Sequence, residues 1–358
     1  MVVKDSGVFF VEIYVGMAKI VAWWHQFAIG FKLKGTREFK GLHGNQITYW
    51  LQSGNANILI TSALDPSAHD IVSFIDRHGN SIKRFAVEVD DIQVALESLR
   101  MKNAIFLHQG IETITENEEK VELIRCKLFD DNELVFIKRT NCTSILPGFK
   151  TTNDDDLNHD ILGIDHLASV VRVNESNLWT DYLSRLLDLN QTQTIGEEFF
   201  ANQSIGMKMQ VLNCKKTKIN QVISEPLPSK QIKSQVDVFL DHHFGNGIQH
   251  LAFEVDDLIK VVKDFKSKGV VFTAIPSKYY DNLRVDHPDI PVELLRASNI
   301  LCEQEGDKLL LQVFTEPIGD RPTLFYEFIQ RINEFEGFGA NNVKQLFKSL
   351  ENNLNGNN

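Results

Sequence analysis

Two histidines and one glutamate stand where this chain could hold a metal ion. His166 lies in the run Gly163-Ile164-Asp165-His166-Leu167-Ala168, and His250 directly precedes Leu251-Ala252-Phe253. Glu327 is embedded in Leu324-Phe325-Tyr326-Glu327-Phe328-Ile329. A carboxylate among so many apolar neighbours is costly to bury without a partner. Two imidazoles and one carboxylate on rigid strands are the donor set of non-haem iron(II) oxygenases, which hold one face of the metal and leave the other positions to substrate and oxygen. Zinc accepts the same donors, so the set alone does not name the ion.

The elements that must position these residues are written twice. Phe85-Ala86-Val87-Glu88-Val89-Asp90-Asp91-Ile92 and Leu251-Ala252-Phe253-Glu254-Val255-Asp256-Asp257-Leu258 are each an apolar strand ending at an Asp-Asp pair. Asp is a favoured helix N-cap, so a helix should follow each strand. Ile92, Ala95, Leu96 and Leu99 share one helical face, as do Leu258, Val261, Val262 and Phe265 at matching positions. Further β-rich runs follow, Ala104 to Leu107 and Val270 to Phe272. Phe10 to Val15 and Gly163 to Ala168 open the two halves; Leu134 to Arg139 and Tyr326 to Arg331 close them. Leu146-Pro147-Gly148-Phe149 and the acidic run from Thr151 to Asp160 read as a linker. Each half is an α+β unit with strands at its start, middle and end.

A duplicated chain is its own control, because a residue needed only for folding should recur in both copies. Arg84 stands opposite His250 and Val135 opposite Glu327. His166 falls opposite Glu12 or Ile13, depending on a register that the sequence leaves open. The second copy gains the whole donor set.

Composition narrows the classes. The chain has 358 residues, 43% hydrophobic and 24% charged, which is globular and about right for two domains. Lys+Arg number 37 against 48 Asp+Glu, a net charge of −11 without a basic cluster, so nucleic acid and anionic membranes are not expected partners. Cys126, Cys142, Cys214 and Cys302 are scattered without a CxxC pair, which points to free thiols in a reducing compartment. The apolar stretch from Val8 to Phe31 is interrupted by Glu12, Lys19 and His25, so no membrane span is expected. A cytoplasmic protein is the expectation.

With these residues in view, the chain resembles the 4-hydroxyphenylpyruvate dioxygenase family, which includes hydroxymandelate synthases. The motifs are Gly163-Ile164-Asp165-His166, Gly247-Ile248-Gln249-His250-Leu251-Ala252, Leu309 to Thr315, Gly319 to Glu327 and Glu336-Gly337-Phe338-Gly339-Ala340-Asn341-Asn342. The resemblance covers nearly the whole chain. It implies an α+β fold of two vicinal-oxygen-chelate modules, built from repeated βαβββ units forming open barrels, plus a C-terminal lid helix. The implied organisation is a metal-free module over 1–145, a linker over 146–160, a catalytic module over 161–335, the lid helix over 336–351 and a disordered tail over 352–358.

By the same resemblance, His166, His250 and Glu327 hold one Fe2+ per chain. Gln235, Gln249 and Gln312 match substrate-pocket glutamines, and Phe314, Phe325 and Phe338 match pocket-wall or gate aromatics. The implied reaction is conversion of 4-hydroxyphenylpyruvate, an aromatic 2-oxo acid, and O2 to homogentisate and CO2. A homodimer or homotetramer is expected. Three departures fall on expected pocket positions: Met209 in place of a serine, Ser224 in place of the Asn of Asn-Glu-Pro, and Tyr326 where leucine, phenylalanine or tryptophan is common. Met209 and Ser224 leave open 4-hydroxymandelate as the product. A binding protein that lost turnover is the reading from another class.

Overall fold

The computed structural model describes residues 3–40, 44–152 and 160–356, with side chains through 348. Its strands are β1 (Phe10–Tyr14), β2 (Lys32–Phe39), β3 (Gln46–Ser53), β4 (Ala56–Ala63), β5 (Ser81–Glu88), β6 (Glu112–Glu116), β7 (Glu119–Leu128), β8 (Asn132–Thr140) and β9 (Lys150–Thr151) in the first half. The second half holds β10 (Ile161–Val170), β11 (Asn190–Ile195), β12 (Met207–Cys214), β13 (Ile219–Pro226), β14 (Gly247–Val255), β15 (Leu301–Glu305), β16 (Lys308–Phe314) and β17 (Phe325–Ile332). The helices are α1 (Ala18–Ile29), α2 (His69–His78), α3 (Ile92–Met101), α4 (Ser176–Leu187), α5 (Gln235–His243), α6 (Leu258–Ser267), α7 (Ser277–Asp286), α8 (Val292–Ser298) and α9 (Ala340–Gly356).

The Asp-Asp pairs start helices as their chemistry requires. Asp91 Oδ1 accepts from the amides of Gln93 and Val94 at the head of α3, and Asp257 Oδ1 accepts from that of Lys260 at the head of α6. Both helices turn their apolar face inward: Ile92, Ala95, Leu96 and Leu99 are buried, as are Leu258, Val261, Val262 and Phe265.

The two sheets run β6-β7-β8-β5-β1-β4-β3-β2-β9 and β11-β12-β13-β10-β14-β17-β16-β15. Read from opposite ends, and setting the edge strand β9 aside, these are the same order. The pairing also carries the same irregularity: the β1–β5 register shifts after Glu12, and the β10–β14 register shifts after Ala168. Both sheets curl into half-barrels. Strand alternation sends one set of side chains into each hollow and the other set outward. Leu167, Leu251, Phe253, Tyr326 and Phe328 point outward and join Val11, Ile13, Phe85 and Val87 of the first half in one continuous buried core.

The paired registers fix the repeat equivalences. Ala252 lies opposite His166 and Ala86 opposite Phe10, so the counterpart of His166 is Phe10, not Glu12 or Ile13. The sequence comparison misplaced it because β10 begins several residues earlier than β1 and carries additional register shifts before His166. Arg84 opposite His250 and Val135 opposite Glu327 are the registers seen.

Two boundaries differ from expectation. Lys150–Thr151, inside the expected linker, forms β9 and pairs with β2, and Phe149 packs against Trp50; residues 153–159 lie outside the described residues. Helix α9 continues to Gly356, past the end expected at 351 and into the stretch expected to be disordered. Once a helix is nucleated, each further residue adds a hydrogen bond, which offsets the weak propensity of asparagine. Among the described residues, no helix is long and apolar enough to cross a membrane.

Candidate metal centre

Three central strands of the second sheet each deliver one donor into its hollow. β10 carries His166, β14 carries His250 and β17 carries Glu327, all buried. The β14–β17 register sets Ala252 opposite Glu327 and Phe325 opposite His250, so the carboxylate and imidazole project side by side. Glu327 Oε2 lies 3.2 Å from His166 Nε2 and 3.3 Å from His250 Nε2. The donor atoms of the three residues all lie within 4.8 Å of one another. Two donors ~2.1 Å from one ion stand about 3.0 Å apart at a right angle and about 3.4 Å apart at the tetrahedral angle. The observed spacings suit a divalent ion and fall between the two geometries.

The electrostatics agree. Burial alone would lower the His166 imidazole, but Glu327 and Asp165 hold it up to about 9. Burial would raise the Glu327 carboxyl, yet His166 and His250 hold it down to about 2. Burial pushes His250 below its ordinary value. A buried carboxylate facing two imidazoles favours a cation between them, and a metal ion takes that place by displacing a proton. Each end of the set is also held from behind. His166 Nδ1 donates to Asp165 Oδ1 at 2.7 Å, which leaves Nε2 to face the ion. Asp165 accepts a fork from Arg331, Nε to Oδ2 at 2.7 Å and Nη2 to Oδ1 at 2.9 Å. Burial would raise Asp165, but Arg331 and His166 hold it far below the carboxylate range. Gln312 Nε2 donates to Glu327 Oε1 at 2.7 Å, on the oxygen turned away from the histidines.

A cavity of about 40 Å³ opens on this cluster. Gln235, Gln249, Gln312, Phe314, Phe338, Met209 and Ser224 line it together with the three donors. Gln249 and Gln312 are buried, whereas Gln235, the first residue of α5, is exposed at the rim. Phe325 stacks on the His250 ring at 4.7 Å, and Phe338 meets the His166 ring edge-on at 5.3 Å. Met209 and Ser224 face one another across β12 and β13.

Relatives fit this geometry. Residues 163–295 match the Glyoxalase/Bleomycin resistance protein/Dioxygenase superfamily. The chain is 30% identical to a 4-hydroxyphenylpyruvate dioxygenase of Yarrowia lipolytica, over 94% of this chain and 89% of that protein. The chain belongs to the 4-hydroxyphenylpyruvate dioxygenase family. It is also 29% identical to the enzyme of that name from Caenorhabditis elegans, over 95% of this chain and 90% of that one. Among solved structures, a mutant of 4-hydroxymandelate synthase from Streptomyces coelicolor superposes with a TM-score of 0.83 at 26% identity, covering 98% of this chain and 99% of that one.

Within this family fold, one departure proves to lie elsewhere than the pocket. The Tyr326 ring points into the core between the halves, where its hydroxyl donates to His25 Nε2 at 2.6 Å. His25 Nδ1 donates to the Val21 carbonyl, so Nε2 is the acceptor. Sequence reasoning passed over Asp165, Arg331 and Asn342 as site residues although all three stand in or beside the quoted motifs. Asp165 immediately before a candidate ligand was the available signal; nothing in the spacing of Arg331 or Asn342 marks them as partners of the centre.

Proposed function

We propose that the chain is an iron(II)-dependent dioxygenase converting 4-hydroxyphenylpyruvate and O2 to homogentisate and CO2. The observation that carries this reading is one hollow gathering a two-histidine, one-carboxylate donor set, buried glutamines and a phenylalanine wall. The family's named activity adds the substrate. Iron(II) held by His166, His250 and Glu327 supplies a chelation point for a 2-oxo acid and activation of O2.

The protein's own share is binding, orientation and exclusion of water. Gln312 uses one amide hydrogen on Glu327 and has a second for a substrate oxygen. Gln249 is buried, and among the described residues its amide is engaged by long contacts of 3.4 Å to the Gln235 carbonyl and His250 Nδ1, so a substrate oxygen can compete for it. Phe314 lines the cavity and would wall the aromatic ring, whereas Phe325 does not line it and reaches the site through its stack on the His250 ring. The reaction balances as one 2-oxo acid plus O2 giving homogentisate plus CO2, with one oxygen atom in the new carboxyl group and the other on the ring.

The cavity of about 40 Å³ is far smaller than the several hundred Å³ of ordinary ligand pockets, so admission of the substrate requires part of the wall to move. Phe338 and Val343 of the C-terminal segment are that wall, which supports a lid role for residues 336–351 and α9. On this reading residues 1–151, with β9 on the first sheet, form the metal-free domain and 161–335 the catalytic domain. A cytoplasmic setting suits Cys126, Cys142, Cys214 and Cys302, which are free thiols. The assembly in this reading is a homodimer or homotetramer.

A second product has a specific observation in its favour. Met209, 4% exposed, fills the pocket floor beside Ser224, and a bulkier floor can turn the ring away from the attacked position. The product would then be 4-hydroxymandelate. Supplying purified protein with iron(II), 4-hydroxyphenylpyruvate and oxygen and identifying the product separates the readings. Homogentisate is expected; 4-hydroxymandelate would select the alternative, and no oxygen uptake would overturn both.

A further inference from the structure

Two chains of side-chain contacts run from the metal donors to the C-terminal segment. The first starts at Glu327. Gln312 Nε2 donates to Glu327 Oε1 at 2.7 Å, and Gln312 Oε1 accepts from Asn342 Nδ2 of α9 at 2.8 Å. Asn342 Oδ1 in turn accepts from the Tyr279 hydroxyl of α7 at 3.0 Å, and that hydroxyl accepts from the Cys302 amide at 2.8 Å. Glu327, Gln312, Asn342 and Tyr279 are each 1–3% exposed. The second chain starts at His166 and passes through Asp165 to Arg331. Arg331 Nη1 then donates to the carbonyls of Phe335 at 2.8 Å and Gly337 at 2.7 Å, and the guanidinium lies 4.9 Å above the Phe338 ring.

Gly339 makes the first chain possible. It sits at φ +74°, and a Cβ there would fall 2.1 Å from Gln312 Oε1. Only glycine lets the backbone lie against that amide in that conformation. With the segment seated, the Gln312 amide is pinned at both ends and its nitrogen is committed to Glu327. With the segment lifted, Gln312 Oε1 loses its donor, and among the described residues no other hydrogen bond holds the amide against the carboxylate.

We propose that Asn342 and Arg331 are positioning residues that couple seating of the C-terminal segment to the metal's ligand set, so that metal binding and lid closure favour one another. This rests on the reading that His166, His250 and Glu327 hold a metal. Coupling of two equilibria is reciprocal: a seated segment tightens the metal by the same factor by which the metal favours seating. Partners lying behind metal ligands are typically worth 10–100-fold in metal affinity.

The test uses the full chain and cobalt(II) as the probe, with affinity read by equilibrium titration and segment seating by amide hydrogen exchange over residues 337–347. In the wild-type protein, cobalt should slow that exchange about tenfold or more. Asn342→Leu should weaken cobalt binding by roughly the same factor and abolish the metal-dependent protection. If the leucine variant does not fold, Asn342→Asp serves: it keeps an acceptor for Tyr279, loses the donor to Gln312 and should show the same two losses. A packing role alone would change exchange equally with and without cobalt. Equal cobalt affinity in wild type and variant, or protection that survives in the variant, would overturn the coupling while leaving the metal reading intact. A wild-type chain that takes up no cobalt would overturn the metal reading and the coupling with it.

Discussion

The two half-barrels share strand order and the same central register shift, yet they place opposite chemistry at equivalent positions. Where the second half has His166, His250 and Glu327, the first has Phe10, Arg84 and Val135. Arg84 is not idle. Its guanidinium lies 3.2 Å from Glu12, 3.3 Å from Glu133 and 2.6 Å from the Tyr14 hydroxyl, and Thr61 donates to Glu12 at 2.6 Å. Burial opposes the charge on Glu133, yet Arg84 and Lys83 hold its carboxyl below the ordinary range. The first hollow therefore carries buried charges that neutralise each other. The second carries donors whose charge a cation between them would complete, beside a cavity. The scaffold tolerates either, so the donor set is not there for folding.

Breaking the second half's set should have the largest effect. Glu327→Ala should cut oxygen uptake with 4-hydroxyphenylpyruvate by at least ~100-fold, with the thermal midpoint showing that the fold persists. Breaking the first half's cluster should do the reverse. Arg84→Met strands Glu12 and leaves Glu133 to Lys83 alone, and denaturant unfolding should show a loss of about 3–5 kcal/mol. Adding Glu12→Gln and Glu133→Gln should restore most of it, because the uncompensated charge rather than a missing contact is the cost.

The seam between the halves should be acid-sensitive. Burial lowers His25 from 6.5 to about 4, and burial with His78 lowers His243 to about 3. Both make cross-half contacts: His25 to Tyr326, and the His243 carbonyl to His78 Nδ1 at 2.7 Å. A folded-state value below the unfolded one gives stability that is full above pH 6.5 and is lost as pH falls toward 4 and then 3. Each histidine should contribute a slope on the order of 1 kcal/mol per pH unit in that window. Urea midpoints measured from pH 7 to 4.5 should fall accordingly, and His25→Gln should flatten the slope. The smallest effect concerns the pocket floor. Met209→Ser with Ser224→Asn should shift the ratio of products by about fivefold, ~1 kcal/mol, read by chromatography.

Much of this was legible in the sequence because repetition exposes what differs. The octapeptides, their Asp caps and the helix faces follow from local periodicity, and the donors stood out as gains in one copy. The counterpart of His166 did not, since register shifts and unequal strand starts are set by pairing partners far along the chain. Tyr326 reads as a pocket departure from its place in the motif, but strand alternation puts it, one residue from Glu327, on the other side of the sheet. Asn342 and Gln312 meet because α9 folds back against α7 and β15, which brings its first turn to Gln312 of β16, and no local pattern encodes that.

The central claim is that the chain holds one metal, in its second half alone. Iron content per folded chain, measured after anaerobic loading and removal of excess, tests it most directly. One iron is expected in the wild-type protein and in Arg84→Ala, and close to none in His250→Ala. Iron retained at one per chain in His250→Ala, or two per chain in the wild-type protein, would contradict it.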